Sequence, residues 1–331
     1  MRAAKIDRYG PPEVLRVVDV PEPTCGPDDV VVAVHAASVN PVDYKIRAGS
    51  QRGAIRYRLP WTLGLDVSGV VVERGANVTR FSVGDAVYGS PSHKRPGTYA
   101  ERVAVNASEL ALKPPGLTHE EAASLPLVGQ TAWGCLMPWV ERWTEPRVFI
   151  QAGAGGVGSF AIQLAKAHGA HVTTTCSPGN AQLVADLGAE RVIDYRSVAY
   201  DDVLSDMDLV LDALGGEHRH RALRITRRGG VVASIVGGVP AATEKYGPNL
   251  GLLAVGGAMV GFWIHGLVRG VRARNVIRSP SGAVLEQITA LVERGAIRPV
   301  IDTVYPLADI ARAHAHIETG HARGKVVIAV N

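Results

Sequence analysis

The sequence predicts an α/β protein, with a mostly β N-terminal part followed by a doubly wound parallel sheet. Over the first ~120 residues, β-rich runs such as residues 30–39 and 67–72 are separated by turn signals. Beyond Trp133, short apolar strands alternate with helices, the order that builds a parallel sheet with helices on its faces. With 331 residues, of which 47% are hydrophobic, the chain is long enough for two domains that each bury a core.

The alternating part predicts its elements in order. A strand at residues 148–151 leads through glycines into a helix at 157–168, which ends at Gly169, a residue that accepts a left-handed turn. Further strands are predicted at residues 171–176, 191–193, 209–212 and 231–236. The last segment predicts a strand at 300–305, a helix at 310–319 and a final strand at 325–330.

Composition and charge exclude several classes of protein. The three cysteines, Cys25, Cys135 and Cys176, are far apart and form no CxxC pair, so neither a disulfide framework nor a zinc finger is expected. The N-terminus is charged where a signal peptide would be apolar, which favours a cytoplasmic protein. The net charge of +4 comes from interspersed acids and bases, so no nucleic-acid partner is expected.

One apolar stretch raises the question of a membrane. No Asp, Glu, Lys or Arg occurs from Tyr246 to Val268, a length that would span a bilayer. The stretch is rich in glycine, however, and it lies within the pattern of alternating strands and helices. We therefore expect a buried element or an apolar ligand wall rather than a membrane span.

A glycine motif carries the clearest functional signal. Residues 153–158 read GAGGVG and match GxGxxG, with a predicted strand directly before and an amphipathic helix directly after. In this context the first glycine allows a tight turn, the second lets the backbone approach a pyrophosphate, and the third allows close packing of helix and strand. The candidate cofactor-binding residues of this loop are Gly153, Gly155, Gly156, Val157 and Gly158.

The end of the next strand bears on which dinucleotide binds. An NAD site places Asp or Glu there for the ribose 2′-hydroxyl, whereas this chain reads CSPGN, with Ser177 and Asn180 as candidate donors to a 2′-phosphate. NADPH is therefore the expected cofactor. Arg196, after Tyr195, is the candidate cation for that phosphate, and a solvated surface arginine is the alternative interpretation.

Two later turns are also expected to approach the cofactor. Ligands bind beyond the carboxyl ends of parallel strands, and Leu214 follows one such strand while Val236 and Gly237 follow the next. The alternative is that both are ordinary turns between elements.

Motifs along the whole chain resemble one family. They are ASVNPVDYKIRAG (37–49), LGLDVSGVVVERG (63–75), FSVGDAVYG (81–89), GTYAERVAV (97–105), LPLVGQTAW (125–133), the glycine motif and GAERVIDY (188–195). Together they resemble the medium-chain dehydrogenase/reductase superfamily, in its zinc-independent NADPH quinone oxidoreductase branch. HVTTTCS (171–177) and LVERGAIRPVID (291–302) look most like the reticulon-interacting-protein type within that branch.

The resemblance implies the architecture. A GroES-like β-barrel would comprise residues 1–124 and be completed by 296–331, with a Rossmann domain at 125–295 and the active site between the two. It also implies a homodimer joined through edge strands of the Rossmann sheets, for which Val276 and Ile277 are the candidate strand.

The resemblance further implies chemistry without a metal. Where zinc-dependent relatives hold their catalytic metal, this chain has Asn40 and Leu65, which offer zinc neither a thiolate nor an imidazole. An acceptor that is already activated is then expected, either a quinone or an α,β-unsaturated carbonyl. Asn40, Asp43 and Tyr44 are the candidate catalytic residues, with Tyr44 as a donor to the substrate oxygen.

Two of the candidate catalytic residues have an alternative, structural role. Tyr44 could instead pack against the barrel wall, and Asp43 could be a structural acid that holds a turn. The resemblance also implies that Gln130 and Thr131 contact the nicotinamide ribose or carboxamide. For the whole protein, the alternatives are a biosynthetic enoyl reductase acting on one bulky intermediate, and an NADPH-binding protein with a structural or regulatory role.

Overall fold

The computed structural model describes residues 1–331. Contacts divide the chain into a first unit, Met1–Gln130 with Ser279–Asn331, and a second unit, Thr131–Arg278. The segment after residue 278 groups with the first unit because its helix packs there: the Tyr88 hydroxyl donates to the carbonyl of Leu285 at 2.8 Å. The unit boundaries therefore lie at 130/131 and 278/279, where the sequence predicts 124/125 and 295/296.

The secondary structure follows the predicted change from strands to alternating strands and helices. Residues 1–125 contain β1 (Arg2–Ile6), β2 (Arg16–Asp19), β3 (Asp29–Val39), α1 (Pro41–Arg47), β4 (Trp61–Thr62), β5 (Val67–Arg74), β6 (Ala86–Gly89), β7 (Arg102–Asn106), β8 (Leu110–Leu112) and α2 (His119–Ala123). Next come α3 (Pro126–Val140), β9 (Arg147–Ile150), α4 (Gly156–Ala167), β10 (His171–Cys176), α5 (Ala181–Asp186), β11 (Arg191–Asp194), α6 (Tyr200–Val203), β12 (Met207–Asp212), α7 (Glu217–Ile225), β13 (Thr226–Ser234), α8 (Val239–Arg269) and β14 (Arg272–Asn275). The chain ends with α9 (Gly282–Glu293), β15 (Ile301–Pro306), α10 (Ile310–Glu318) and β16 (Lys325–Ala329).

The first unit is built on one large sheet. Its strand order is β15-β16-β3-β5-β6-β8, with β7 also paired to β3, and a small sheet β2-β1-β4 stands beside it. The last strand, β16, pairs antiparallel with β3, so Val327 lies opposite Ser38. The C-terminal segment thus completes the sheet that the N-terminal segment begins. Most of β3 is buried, which explains why its sequence is an almost continuous run of small and branched apolar residues.

The second unit contains the doubly wound sheet that the sequence predicts. Six strands pair in the order β11-β10-β9-β12-β13-β14, and every pair is parallel. The strand order runs outward in both directions from β9, so the turn after β9 lies where the winding reverses. In sheets of this kind, ligands bind at that position, beyond the carboxyl ends of the strands.

The apolar stretch at 246–268 differs from the prediction. It lies within α8, which breaks at Gly247 (φ 75) and is helical again from Pro248. By length and composition α8 is the one helix that could cross a membrane. Only 22% of its most apolar stretch is buried within the chain. The prediction of a buried element is therefore wrong, because one narrow side of the helix packs on the rest of the second unit and the other sides are exposed. The other expectation for this stretch, an apolar ligand wall, stays a prediction.

The edge of the second sheet lies close to the predicted strand. β14 pairs only with β13 and ends at Asn275, just before Val276 and Ile277, and the Ile277 side chain is 86% exposed. One edge of this strand therefore has no partner strand within the chain.

Candidate functional site

The glycine loop connects β9 to α4 and has the backbone shape that a pyrophosphate requires. A Cβ added at Gly153 would lie 2.2 Å from the Thr174 hydroxyl, and one at Gly158 would lie 2.2 Å from the carbonyl oxygen of Ala152. Only glycine fits at these two positions. At Gly155 the nearest atom would be 3.4 Å away, so its outer side is open. The loop therefore presents the N-terminus of a 12-residue helix, where backbone N–H groups bind phosphate.

The end of β10 contains no carboxylate within its own turn. The Asn180 amide donates to the Ser177 hydroxyl at 3.2 Å, and the Asn180 Oδ1 is buried without a partner. After β11, Asp194 accepts from the backbone N–H of Arg196 at 3.0 Å and from the Ser197 hydroxyl at 3.1 Å. Arg196 is exposed, and its guanidinium lies 5.9 Å from the centroid of the Tyr195 ring. The fold thus places a hydroxyl, an amide and an exposed cation after two neighbouring strands.

A buried aspartate organises the turns after β12 and β13. Asp212 is fully buried and accepts from the N–H groups of Leu214 at 3.2 Å and Gly215 at 2.8 Å, and from the Ser234 hydroxyl at 2.6 Å. Arg219 lies 3.7 Å from the same carboxylate and donates to the carbonyl of Val236. The two turns are therefore held together.

The predicted cofactor residues of the second unit share one edge of the sheet. They follow the carboxyl ends of β9, β10, β11, β12 and β13, and they are Gly153, Gly155, Gly156, Val157, Gly158, Ser177, Asn180, Tyr195, Arg196, Leu214, Val236 and Gly237. Gln130 and Thr131 lie within α3 and are both buried; the Gln130 amide donates to the carbonyl of Ser281 at 3.1 Å.

In the first unit, Asn40 and Lys325 meet in a buried polar network. Asn40 caps α1 and is fully buried, and its Nδ2 donates to Asp66 at 2.8 Å. The Lys325 ammonium donates to the Asn40 Oδ1, to Asp66 at 3.3 Å and to the carbonyl of Val39 at 3.2 Å. The Ser38 hydroxyl donates to Asp66 at 2.6 Å. Both ends of the Asn40 carboxamide are thus held in one orientation.

Asp43 joins this network with one carboxylate oxygen only. Its Oδ2 accepts from the backbone N–H of Asn40 at 2.8 Å and from the Tyr99 hydroxyl at 3.1 Å, whereas its Oδ1 is buried without a partner. Burial raises the pKa of Asp43 to about 7, with the charge of Asp66 adding to the rise. A carboxyl group with such a pKa can hold or release a proton near neutral pH.

A small cavity adjoins Asp43. Its volume is ≈10 Å³, about enough for one water molecule, and it is lined by Asp43, Tyr57, Trp61, Leu65 and His93 among others. A larger cleft of ≈720 Å³ in the same unit, between β8 and α9, contains none of the predicted site residues.

Tyr44 has a different environment from its neighbour Asp43. It is half-buried, and its pKa is raised by burial and by the charge of Glu318 on α10. No hydrogen bond connects it to the network of Asn40 and Asp66. The structure thus brings two of the three candidate catalytic residues together.

The residues at the expected metal position do not fit zinc. Zinc takes thiolate, imidazole or carboxylate ligands, whereas Leu65 is aliphatic and the Asn40 amide is occupied. The Lys325 ammonium adds a buried positive charge beside them. The chain has no group of three or more His, Cys, Asp or Glu side chains that could hold a metal ion.

Asp66 and Lys325 are site residues to which no motif pointed, and for the turn that begins at Asp212 only a backbone contact was expected, not the organising role of its carboxylate. Asp66 follows Leu65 directly, and Lys325 begins a strand that is otherwise apolar, so a charged residue next to a buried strand was the available signal. Such a residue needs a partner of opposite charge in the interior.

Two family models match the chain. The alcohol dehydrogenase GroES-like domain matches residues 26–115, and the zinc-binding dehydrogenase domain matches residues 187–328. The human mitochondrial NAD(P)H oxidoreductase RTN4IP1 is 38% identical over 358 residues, which cover 100% of this chain and 89% of the human protein. The chloroplastic NADPH-dependent alkenal/one oxidoreductase of Arabidopsis thaliana is 34% identical, over an alignment that covers 99% of this chain and 79% of the plant protein. The solved structure of the quinone oxidoreductase from Coxiella burnetii has a TM-score of 0.87 at 32% identity, covering 100% of this chain and 99% of that one.

The fold and the glycine loop define an α/β oxidoreductase that binds a nicotinamide dinucleotide. The N-terminal unit is GroES-like and the second is a Rossmann-type sheet, as predicted. The chain belongs to the medium-chain dehydrogenase/reductase superfamily, with RTN4IP1-like NAD(P)H oxidoreductases and quinone and enone reductases as its relatives. The resemblance inferred from the motifs is confirmed.

Proposed function

We propose that this protein transfers a hydride from NADPH to a quinone or an α,β-unsaturated carbonyl, without a metal ion. The observation that carries the proposal is the buried network of Asn40, Asp66 and Lys325. Where the resemblance implies the catalytic metal of zinc-dependent relatives, which would polarise an alcohol, this chain has Asn40 with the Lys325 ammonium bound to it. An acceptor that is electron-poor on its own account needs no such metal.

The protein's own residues then bind, orient and exchange a proton. When bound, the dinucleotide supplies the hydride. The glycine loop would hold its pyrophosphate, and the turns that Asp212 holds together would adjoin its nicotinamide end. The reduced acceptor must gain a proton, and Asp43 holds one near neutral pH at a carboxyl oxygen without a partner. Tyr44 remains our candidate donor to the substrate oxygen.

The proposed chemistry is tested by NADPH oxidation against a panel of benzoquinones, naphthoquinones, alkenals and enones. We expect at least one of these compounds to reach a kcat/KM of roughly 10⁴ M⁻¹s⁻¹, the lower end of the usual range for enzymes. Treatment with EDTA should leave the rate unchanged. Tight NADPH binding without turnover of any acceptor would favour the structural or regulatory alternative, and a rate abolished by EDTA would contradict a metal-free mechanism.

We also propose that NADPH is preferred to NADH. The support is the turn after β10, which offers Ser177 and Asn180 and no carboxylate, together with the exposed cation of Arg196. We expect at least a tenfold lower Kd for NADPH, about 1.4 kcal/mol, by fluorescence titration. Arg196→Ala should narrow the difference, while Arg58→Ala, at an exposed arginine of the other unit, should not. Equal Kd values for the two dinucleotides in the unchanged protein would refute the preference.

We also propose an oligomeric state, a cellular location and a size for the acceptor. We propose a homodimer that uses the unpaired edge of β14, and a cytoplasmic location, although the vertebrate RTN4IP1 relatives are named mitochondrial. The acceptor is proposed to be small. A biosynthetic enoyl reductase has less support: the resemblance implies that Gln51 stands about where polyketide-type enoyl reductases often have a tyrosine donor.

A further inference from the structure

The second segment of α8, residues 248–269, exposes an unusual amount of apolar surface. Its buried residues are Gly251, Val255, Phe262 and Gly266, which share one narrow side of the helix. Eight large apolar side chains of the segment are exposed, namely Leu250, Leu252, Leu253, Val260, Trp263, Ile264, Leu267 and Val268. At roughly 100 Å² each they present about 800 Å², which exceeds the 300–600 Å² of the largest patch on a typical monomer. A surface of this kind marks a binding partner.

The outermost residues of this face follow the spacing of a helix–helix seam. Leu253, Gly257, Val260, Ile264 and Leu267 succeed one another at intervals of four, three, four and three residues. This 3.5-residue repeat is the one by which two helices pack side by side. We call these five residues the apolar seam. Leu253 and Leu267, at its ends, are 73% and 80% exposed.

Gly257, at the second position of the seam, lies in open space. A Cβ added there would meet no atom within 4 Å, so nothing within the chain requires a glycine. Glycine destabilises the interior of a helix, and it is useful where another backbone approaches closely. The open side of Gly257 therefore fits a second helix that packs against the seam.

The absence of charged residues on this face indicates which kind of partner it binds. The exposed face carries no Asp, Glu, Lys or Arg between Tyr246 and Val268, so a charged partner surface would lose its hydration without gaining an ion pair. Helices that lie on a membrane surface are rich in Lys and Arg on their polar face, and this segment has none before Arg269. A second copy of the chain offers an equally uncharged face of the same periodicity. The estimated area also matches the roughly 800 Å² that each partner of a stable interface buries.

We propose that two copies of this chain associate by packing α8 against α8 of the second copy, seam to seam across a two-fold axis. The inference rests on the homodimer in the proposed function and assigns its main contact to the helix rather than to the edge strand alone. The two contacts are continuous, because α8 lies against the strand at the sheet edge: a Cβ at Gly266 would lie 2.8 Å from the Ala273 Cβ. In an isologous interface, each seam residue meets the same surface on the partner.

The test is the mass in solution of the full-length protein, measured by sedimentation equilibrium at micromolar concentration. We expect twice 35.0 kDa for the unchanged chain. The double variant Ile264→Glu/Leu267→Glu should sediment as a monomer, because both side chains are exposed within the single chain and their replacement disturbs only the interface. Gly257→Leu should also weaken the dimer, by about 100-fold or more in Kd, since its side chain has space in the monomer but not against a second helix.

Matched controls separate the helix from other surfaces. Val83→Glu, at a 62% exposed side chain of the first unit, and Gly116→Leu, where an added Cβ also meets nothing, should leave the dimer intact. Cooperative thermal unfolding and NADPH titration would show that the seam variants remain folded, and NADPH oxidation by the same samples tests the proposed chemistry separately.

The following outcomes would overturn the proposal. A dimer that survives both seam variants would assign the interface to the edge strand β14 alone. A monomeric unchanged chain would refute the dimer altogether. If that monomer sedimented with phosphatidylcholine–phosphatidylglycerol vesicles and the seam variants did not, the seam would bind lipid rather than a second copy.

Discussion

Replacing Lys325 by methionine is expected to lower the free energy of unfolding by about 3–5 kcal/mol, the cost of removing one partner from a buried ion pair. The Lys325 side chain is 5% exposed and that of Asp66 is 0% exposed. Methionine keeps most of the volume, so the loss arises from the Asp66 carboxylate, which would stay buried without its cation. Urea denaturation followed by circular dichroism measures the change.

Two further variants make this prediction specific. Lys94→Met removes an exposed lysine from the same unit and should change the stability by no more than about 0.5 kcal/mol. Asp66→Asn combined with Lys325→Met removes both charges, and it should recover a large part of the loss because the two residues are coupled. If Lys325→Met were as stable as the unchanged protein, the network would not depend on the charge of Lys325.

The same substitution should also shift the pH dependence of the reaction. The positive charge of Lys325 lowers the pKa of Asp43, although burial has the larger, opposite effect and leaves that pKa at about 7. Without Lys325 the pKa of Asp43 rises further, so any limb of the pH–rate profile that reports this group should move to higher pH. An unmoved profile would show that Asp43 does not control the rate.

Short-range patterns predicted the second unit well. The strand at residues 171–176 was expected with the bounds that β10 has, and the helix after the glycines begins within one residue of its predicted start. Both follow from apolar periodicity and glycine spacing within a few residues, where local sequence and final fold agree.

The network around Asn40 could not be predicted in this way. Lys325 and Asp66 are 259 residues apart in sequence, and they meet because β16 and β5, the strand that follows Asp66, both pair with β3. Family resemblance pointed to Asn40, Asp43 and Leu65 but not to Lys325, whose ammonium donates to the Asn40 Oδ1. The apolar face of α8 escaped prediction for another reason: an uncharged stretch has the same composition whether its own domain or a second molecule covers it.

A second large effect, on NADPH binding, is expected for a substitution in the glycine loop. Gly158→Ala is expected to weaken NADPH binding by at least 100-fold, about 2.7 kcal/mol. The added Cβ would lie 2.2 Å from the Ala152 carbonyl oxygen and 2.8 Å from the Gly153 Cα, and both are backbone atoms that cannot rotate away. The loop must therefore move, and with it the N–H groups at the start of α4. Titration of NADPH fluorescence measures the Kd.

Gly155→Ala separates a distorted loop from a blocked cofactor. Its Cβ would only touch the Ala152 oxygen at 3.4 Å, so the variant should unfold at the same temperature as the unchanged protein, whereas Gly158→Ala should unfold earlier. It should nevertheless bind NADPH more weakly, because this glycine is the one whose open side a pyrophosphate would approach. Gly116→Ala, in a turn of the other unit, should change neither property. Unaltered affinity in both Gly155→Ala and Gly158→Ala would mean that the dinucleotide binds elsewhere on the protein.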